Sequence, residues 1–248
     1  MKENLKGKAI VHQEERVCML KKYKAVFFDV GGTLIRVHPS VGEVYTKMAR
    51  GYGFSGSPEE VDRQFRQQWK ITGGIESLGR QSGLEIEKKF WRDLVFHVFE
   101  HFGGLRDFEN YFEQVYEAFR NKDCWRVYDD VVDSGILQTL KRRGVVLGVI
   151  SNWDSRLPDT LEAMGLARYF DFILASTVVG SAKPDQKIFD EALKLSGVDC
   201  GEACHIGDEP DTDIIGARQA GVDAILIDRT GRHEDFASPK VNSFFELV

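Results

Sequence analysis

The sequence predicts an α/β fold: a parallel sheet flanked by helices, interrupted once by an inserted unit of about four helices. Three observations predict it. Short apolar runs that end in Gly, Asp or Ser alternate with helix-length amphipathic segments, the pattern of strands buried on both faces. The alternation stops between Arg36 and about Tyr128, where aromatic-rich helical stretches follow one another. Glycines stand just past the helical segments outside that gap, where a left-handed C-cap is favoured.

Residues 1–22 precede the first strand as an extension expected to be poorly ordered, and Met19 offers an alternative start. The first strand is Ala25–Phe28. The inserted helices are Val41–Tyr52, Pro58–Ile71, Glu85–Phe99 and Phe108–Phe119. The later strands are Val145–Ile150, Phe172–Ala175, Ala203–Ile206 and Ala224–Ile227. Between and after them run helices Val131–Arg143, Leu157–Met164, Gln186–Leu195 and Thr212–Ala220, followed by Gly144, Gly165, Gly197 and Gly221. The domains are therefore an α/β core over 23–35 and 129–248 and a helical domain over 36–128. Hinges are expected near Arg36–Pro39 and Cys124–Asp129. Phe65, Trp69, Phe90, Trp91, Phe96 and Tyr116 recur at helical spacing, which assigns most of them to the helical domain's own core and one or two to a ligand space.

A chain of 248 residues, 42% hydrophobic and 29% charged, can bury a sizeable core. Its net charge of -6 argues against nucleic-acid and anionic-membrane partners. No apolar run is long enough to span a bilayer, and the mixed-charge start lacks the apolar stretch of a secretory signal. Cys18, Cys124, Cys200 and Cys204 form no CxxC pair, so they are read as reduced thiols of a cytoplasmic protein. Nothing in the sequence fixes the oligomeric state.

Four islands carry chemistry: FFDVGGTLI, VISNWD, SAKPD and HIGDEPDTD. Asp29 closes a buried strand, which aims its carboxylate into a ligand crevice as a possible covalent nucleophile. Gly31 and Gly32 let the backbone turn sharply toward an anion. Ser151 and Asn152 end the second core strand and can donate to phosphate oxygens, with N-capping as their plainer role. Lys183 sits in a loop fixed by Pro184. Asp208 and Asp213 stand in one acidic loop that repels itself unless a cation is present, and oxygen ligands suit Mg²⁺. Glu209 and Asp211 are read as solvated acids near a helix start.

In order, spacing and wording the islands resemble the haloacid dehalogenase-like (HAD) hydrolase superfamily, in the subfamily with a helical type-one cap. HPSVGEVYTKMARGYG and SNWD make the rhythmically-expressed-gene-two-like branch the best match, over about Lys22 to Val241. The resemblance implies a Rossmann-like core and a phosphatase that works through an aspartyl-phosphate on Asp29 and acts on a small phosphorylated molecule. It implies that Thr33 orders the first turn and contacts phosphate. It implies that Lys183 holds nucleophile and phosphate charges together, and that Asp29, the Gly31 carbonyl, Asp208 and Asp213 bind Mg²⁺.

One position departs from the family pattern. Where most HAD phosphatases read Asp-x-Asp, this chain reads Asp29-Val30-Gly31. The carbonyl at 31 is kept and the general acid–base carboxyl is lost, a group typically worth about 10²–10⁴ in rate. Two alternatives follow: a catalytically weak homologue that binds a phosphate ligand or a protein, and a phosphonatase- or dehalogenase-type hydrolase. Phosphonatases carry a small residue at this position and use a cap lysine, for which Lys47, Lys70, Lys88 and Lys89 are present but none is marked out. Dehalogenases lack the acid pair that this chain has in GDEPDTD.

Overall fold

The computed structural model describes residues 19–81 and 83–248. Cys18 and nearly all of the N-terminal extension lie outside the described residues. Residues 19–22 lie within them: Leu20 is fully buried in the core, and Lys22 pairs with Asp223 at 2.7 Å.

The apolar runs form strands β1 (Ala25–Phe28), β4 (Val146–Ser151), β5 (Phe172–Ala175), β6 (Ala203–Gly207) and β7 (Asp223–Ile227), with a two-residue edge strand β8 (Lys240–Val241). β2 (Ile35–Val37) and β3 (Trp125–Val127) make a separate ribbon. The six-stranded sheet is parallel throughout, in the order β5-β4-β1-β6-β7-β8. β1 lies between β4 and β6, where the strand order reverses, so a crevice opens beyond its carboxyl end. Side chains alternate along β1. Ala25 and Phe27 enter one hydrophobic cluster and Val26 and Phe28 the other, and helices cover both faces.

The inserted segment forms α1 (Val41–Ala49), α2 (Pro58–Thr72), α3 (Leu84–Glu100) and α4 (Phe108–Ala118). Ser40 caps α1. Ser57 and Glu60 close a reciprocal capping box on α2, which ends at Gly73 in the left-handed region. Gly42 lets α1 approach α2, because a Cβ there would meet the Pro58 carbonyl, and its N–H donates to Asp62 at 2.7 Å. These helices share a third cluster built on Leu94, Val98, Phe99, Tyr111 and Phe112.

Four features depart from the sequence expectation. The connectors read as hinges are the ribbon β2–β3, antiparallel with Ile35 opposite Val127 and Val37 opposite Trp125. The helix expected over Val131–Arg143 is two, α5 (Asp129–Asp133) and α6 (Ile136–Arg142). Gly135, at φ 62, breaks it. The expected helix over Thr212–Ala220 begins as one wide π-turn, Pro210–Ile215, and continues as α10 (Gly216–Gln219). Strand β8 was not legible. The remaining core helices, α7 (Leu157–Ala163), α8 (Ser176–Val179) and α9 (Gln186–Ser196), alternate with the strands.

Gly148, in the middle of β4, sits beside Phe27 of β1 and Phe172 of β5 in register. A Cβ there would lie 2.2 Å from the Phe172 ring, which pairs with Phe27 at 5.8 Å. Gly148→Ala is expected to destabilise the fold by about 1–3 kcal/mol in urea unfolding. Much of that loss should return when Phe172→Leu is added.

Candidate active site

The site gathers at the carboxyl ends of β1, β4 and β6. Asp29 follows β1, and its N–H bonds the Ile206 carbonyl of β6 at 2.9 Å, which fixes its depth. The next three residues turn back sharply. Gly32, at φ 81, is needed because a Cβ there would lie 2.2 Å from the Asp208 carboxylate. Gly207 serves the same end on β6, where a Cβ would meet Asp213 at 2.1 Å. The turn is held from behind by Arg229, which donates to the carbonyls of Gly32 and Thr33 at 2.8 Å each. Arg229 also pairs with Asp130 at 3.0 Å and lies over the Tyr128 ring at 3.9 Å. Sequence reading missed Arg229, because its partners are 99 to 197 residues away along the chain.

Lys183 is buried between two carboxylates, 2.7 Å from Asp29 Oδ1 and 2.5 Å from Asp213 Oδ1. Burial alone would lower its pKa, but Asp213 and Asp29 outweigh burial and hold it well above an ordinary lysine. Its ammonium therefore stays charged. Asp213, though buried, is held well below the usual carboxylate range by Lys183 and His205. Both Asp213 oxygens are committed: Oδ1 to Lys183 and His205 Nε2 (2.9 Å), and Oδ2 to the Glu209 N–H (3.0 Å). Burial lowers the pKa of His205, which keeps the ring neutral with Nε2–H donating. His205 opens the fourth island, and only the fold places it behind Asp213.

Ser151 donates to Asp29 Oδ1 at 3.0 Å. Asn152 does something the sequence did not suggest. Its Oδ1 accepts the Lys183 N–H (2.8 Å) and its Nδ2 donates to the Lys183 carbonyl (3.0 Å) and to Glu76 (3.1 Å). The side chain thus clamps the lysine loop. Thr33 is fully buried and donates to Asp208 Oδ1 at 3.1 Å. That bond ties the first turn to the acidic loop, and Thr33 does not line the cavity. Asp154 caps the next turn and chelates the buried Arg156, while accepting from Trp91 Nε1 at 2.6 Å.

A cavity of about 490 Å³ extends from Asp29, Gly31, Ser151, Lys183 and Asp208 toward the helical unit. Of the aromatics singled out in the sequence, Phe65, Trp69, Trp91 and Tyr116 line it, and Phe90 and Phe96 do not. Trp153 lies at the seam, its ring 5.0 Å from that of Trp125.

The residues present suit a hard divalent cation. Oxygens of Asp29, Asp208 and Asp213 lie within 4.8 Å of one another. Burial, followed by repulsion from Asp29, Asp213 and Glu209, pushes the Asp208 carboxyl up to about 8. Burial likewise raises Asp29, with Lys183 offsetting part of the effect. An all-oxygen cluster that strains against its own charge is the donor set Mg²⁺ takes. Asp29 and Asp208 each have one oxygen with no protein donor among the described residues, whereas both Asp213 oxygens already accept protein hydrogen bonds.

Residues 23–221 match the family described as haloacid dehalogenase-like hydrolase. The chain is 35% identical over 204 residues to the Homo sapiens haloacid dehalogenase-like hydrolase domain-containing protein 3, covering 81% of this chain and 80% of that protein. It is 29% identical over 218 residues to the Drosophila melanogaster Rhythmically expressed gene 2 protein, covering 84% of each. Among solved structures, a HAD phosphatase from Thermococcus onnurineus superposes with a TM-score of 0.64 at 26% identity, covering 90% of this chain and 95% of that one. No helix among the described residues is long and apolar enough to cross a membrane.

Asp208 keeps a proton in the fold that it gives up in the unfolded chain, between its ordinary value of 3.8 and about 8. Without divalent cation, stability therefore falls as pH rises through that window and levels off above it. The melting temperature should drop between about pH 5 and about pH 8, and Asp208→Asn should flatten the slope. Added Mg²⁺ should raise Tm more at the higher pH.

Proposed function

The chain belongs to the haloacid dehalogenase-like hydrolase family, in its rhythmically-expressed-gene-two-like branch, and on that premise we propose that it is a Mg²⁺-dependent phosphatase of a small phosphorylated molecule. The observation that carries this reading is the placement of Asp29, on a rigid strand end, beside a charged lysine and two further carboxylates in the cavity between the sheet and the helical unit.

Asp29 attacks phosphorus with Oδ2, the oxygen that Lys183 and Ser151 leave free. Its other oxygen is fixed by Lys183 and Ser151, so the nucleophile enters already oriented. Lys183 offsets the charge that the phosphoryl oxygens bring, and Asp213 with neutral His205 keeps the ammonium in place. The Ser151 hydroxyl, whose single hydrogen goes to Asp29, can turn to the phosphoryl oxygens once the Asp29 charge is spent on phosphorus, and backbone N–H groups beside it receive the remaining oxygens. Asp29, Asp208 and the Gly31 carbonyl would hold Mg²⁺, which supplies charge neutralisation for the transferred group. Water then hydrolyses the aspartyl-phosphate. The helical unit acts as a cap that excludes bulk water and supplies most of the substrate contacts. The setting is cytoplasmic.

Gly31 places no carboxyl beside the leaving oxygen, so departure is not assisted by an acid from this turn. That observation also favours a second reading, a homologue that keeps the kit for binding and turns over poorly. Phosphate release from a panel of esters separates the two. The phosphatase reading expects Mg²⁺-dependent release that Asp29→Asn abolishes. Gly31→Asp, whose Cβ would meet only the Trp153 ring edge at 3.4 Å, should raise turnover of alkyl esters by about 10²–10⁴. Binding without release in both wild type and Gly31→Asp would favour the second reading.

A further inference from the structure

We infer, on the basis of the phosphatase reading above, that the substrate is an aryl phosphate: a phosphomonoester whose ester oxygen is borne by a flat aromatic body, held by ring contacts in the helical half of the cavity. Two independent observations point there.

The first is the wall. Beyond the carboxylates, the lining is dominated by ring surfaces from both halves of the molecule, among them Phe65, Trp69, Phe112, Phe119, Trp125 and Trp153. Several are already stacked or tilted on one another: Phe65 with Trp69 at 6.0 Å, Trp69 with Trp91 at 5.7 Å, and Trp125 with Trp153 at 5.0 Å. The indole N–H groups of Trp91 and Trp125 are spent on protein acceptors, Asp154 and the Phe119 carbonyl, so neither offers a donor to a ligand. Glu76 is bonded to Asn152, and the Arg156 guanidinium to Asp154 and the Tyr116 carbonyl. Arg36 and Arg66 line the cavity but are exposed. Tyr45, Tyr116, Tyr128, Thr212 and Glu209 add polar atoms to the lining, but rings and aliphatic side chains supply most of it, and a polyhydroxylated body would bury hydroxyls against them, which a buried site penalises. A flat ring finds faces and edges on several sides.

The second is the leaving group. Where a carboxyl side chain would stand at position 31 there is glycine, and the nearest group is the edge of Trp153. An alkoxide needs a proton in order to depart. A phenoxide, whose conjugate acid titrates near 10 as tyrosine does, needs far less help. An aromatic body on the ester oxygen thus answers both the ring-lined wall and the absent acid. The step is balanced without further reagents. An Asp29 oxygen donates its electron pair to phosphorus and the P–O bond to the aryl group breaks. The phenoxide leaves with that electron pair and is protonated by solvent. Water then attacks the phosphorus of the aspartyl-phosphate, releasing phosphate and a proton and restoring the Asp29 carboxylate. The cavity volume of about 490 Å³ lies within the range of small-molecule sites and accommodates a one- or two-ring body.

The test reads binding separately from turnover. The full-length Asp29→Asn protein with Mg²⁺ is titrated calorimetrically with inorganic phosphate, phenyl phosphate, 2-naphthyl phosphate, cyclohexyl phosphate and glucose 6-phosphate. The expected result is an affinity order of naphthyl, phenyl, cyclohexyl and sugar, with naphthyl phosphate at least about tenfold tighter than cyclohexyl. Trp69→Leu should cut the ratio of naphthyl phosphate to inorganic phosphate affinity by about tenfold. Trp153→Leu gives a second reading of the same ratio from a ring on the core side of the cavity. Aryl esters that bind no tighter than cyclohexyl or sugar esters would overturn the inference, as would a ratio unmoved by folded Trp69→Leu, or no binding of any phosphate compound. Aryl preference in binding together with no phosphate release from any ester by the wild type would support the ligand class and overturn the phosphatase reading alone.

Discussion

The site depends on one buried cation shared by two carboxylates. Lys183 has lost its water and gained Asp29 and Asp213 in exchange. Charges buried this way are tolerated only when each is matched and hydrogen-bonded. The arrangement is therefore fixed from several sides. Asn152 grips the lysine backbone at both its N–H and its carbonyl. Neutral His205 and the Glu209 N–H complete Asp213. The arrangement is also incomplete: Asp208 and Asp29 remain under mutual repulsion, which a cation or a transferring phosphoryl group with its counter-ion can relieve.

The fold exists to bring these groups to one point from distant parts of the chain. The sheet reverses its order at β1, so three strand ends face one crevice. Two glycines let carboxylates come within contact of the backbone, Gly32 for Asp208 and Gly207 for Asp213. Arg229, beyond the end of β7, reaches back to the turn after β1 and ties it to Asp130. The helical unit meets this crevice through polar contacts as well as rings. Glu87 of α3 accepts from Ser155 and Thr177 of the core, and Trp91 donates to Asp154. These contacts tie the helical unit to the core beside the carboxylates.

Much of this was legible because the signals were local. Strands β1, β5 and β6 are apolar runs bounded by Asp, Ser or Gly, and the four inserted helices carry their own apolar periodicity, with Ser40 and Ser57 capping the first two. The carboxylates and lysine of the site stood in motifs whose spacing implied their chemistry, and the structure brings Asp29, Ser151, Asn152, Lys183, Asp208 and Asp213 into one cluster. What was not legible was non-local. β2 and β3 are three residues each and pair across the whole helical unit, leaving no pattern of useful length in either segment. Asn152 reads as a phosphate donor until the Lys183 loop is seen folding against it. Thr33 reads as a ligand contact until its hydroxyl is found on Asp208. Gly135 was legible as a residue but not as a break, because the apolar positions on either side keep helical phase.

The central claim is that Asp29 carries the phosphoryl group between substrate and water. The most direct measurement is mass spectrometry of the protein acid-quenched during turnover of a phosphate ester, with peptide mapping of any added phosphoryl group. The account predicts one phosphoryl adduct on the peptide containing Asp29, labile to hydroxylamine as an acyl phosphate is, and absent from Asp29→Asn. Phosphate release with no adduct at any time point, or with the adduct on another side chain, would contradict it.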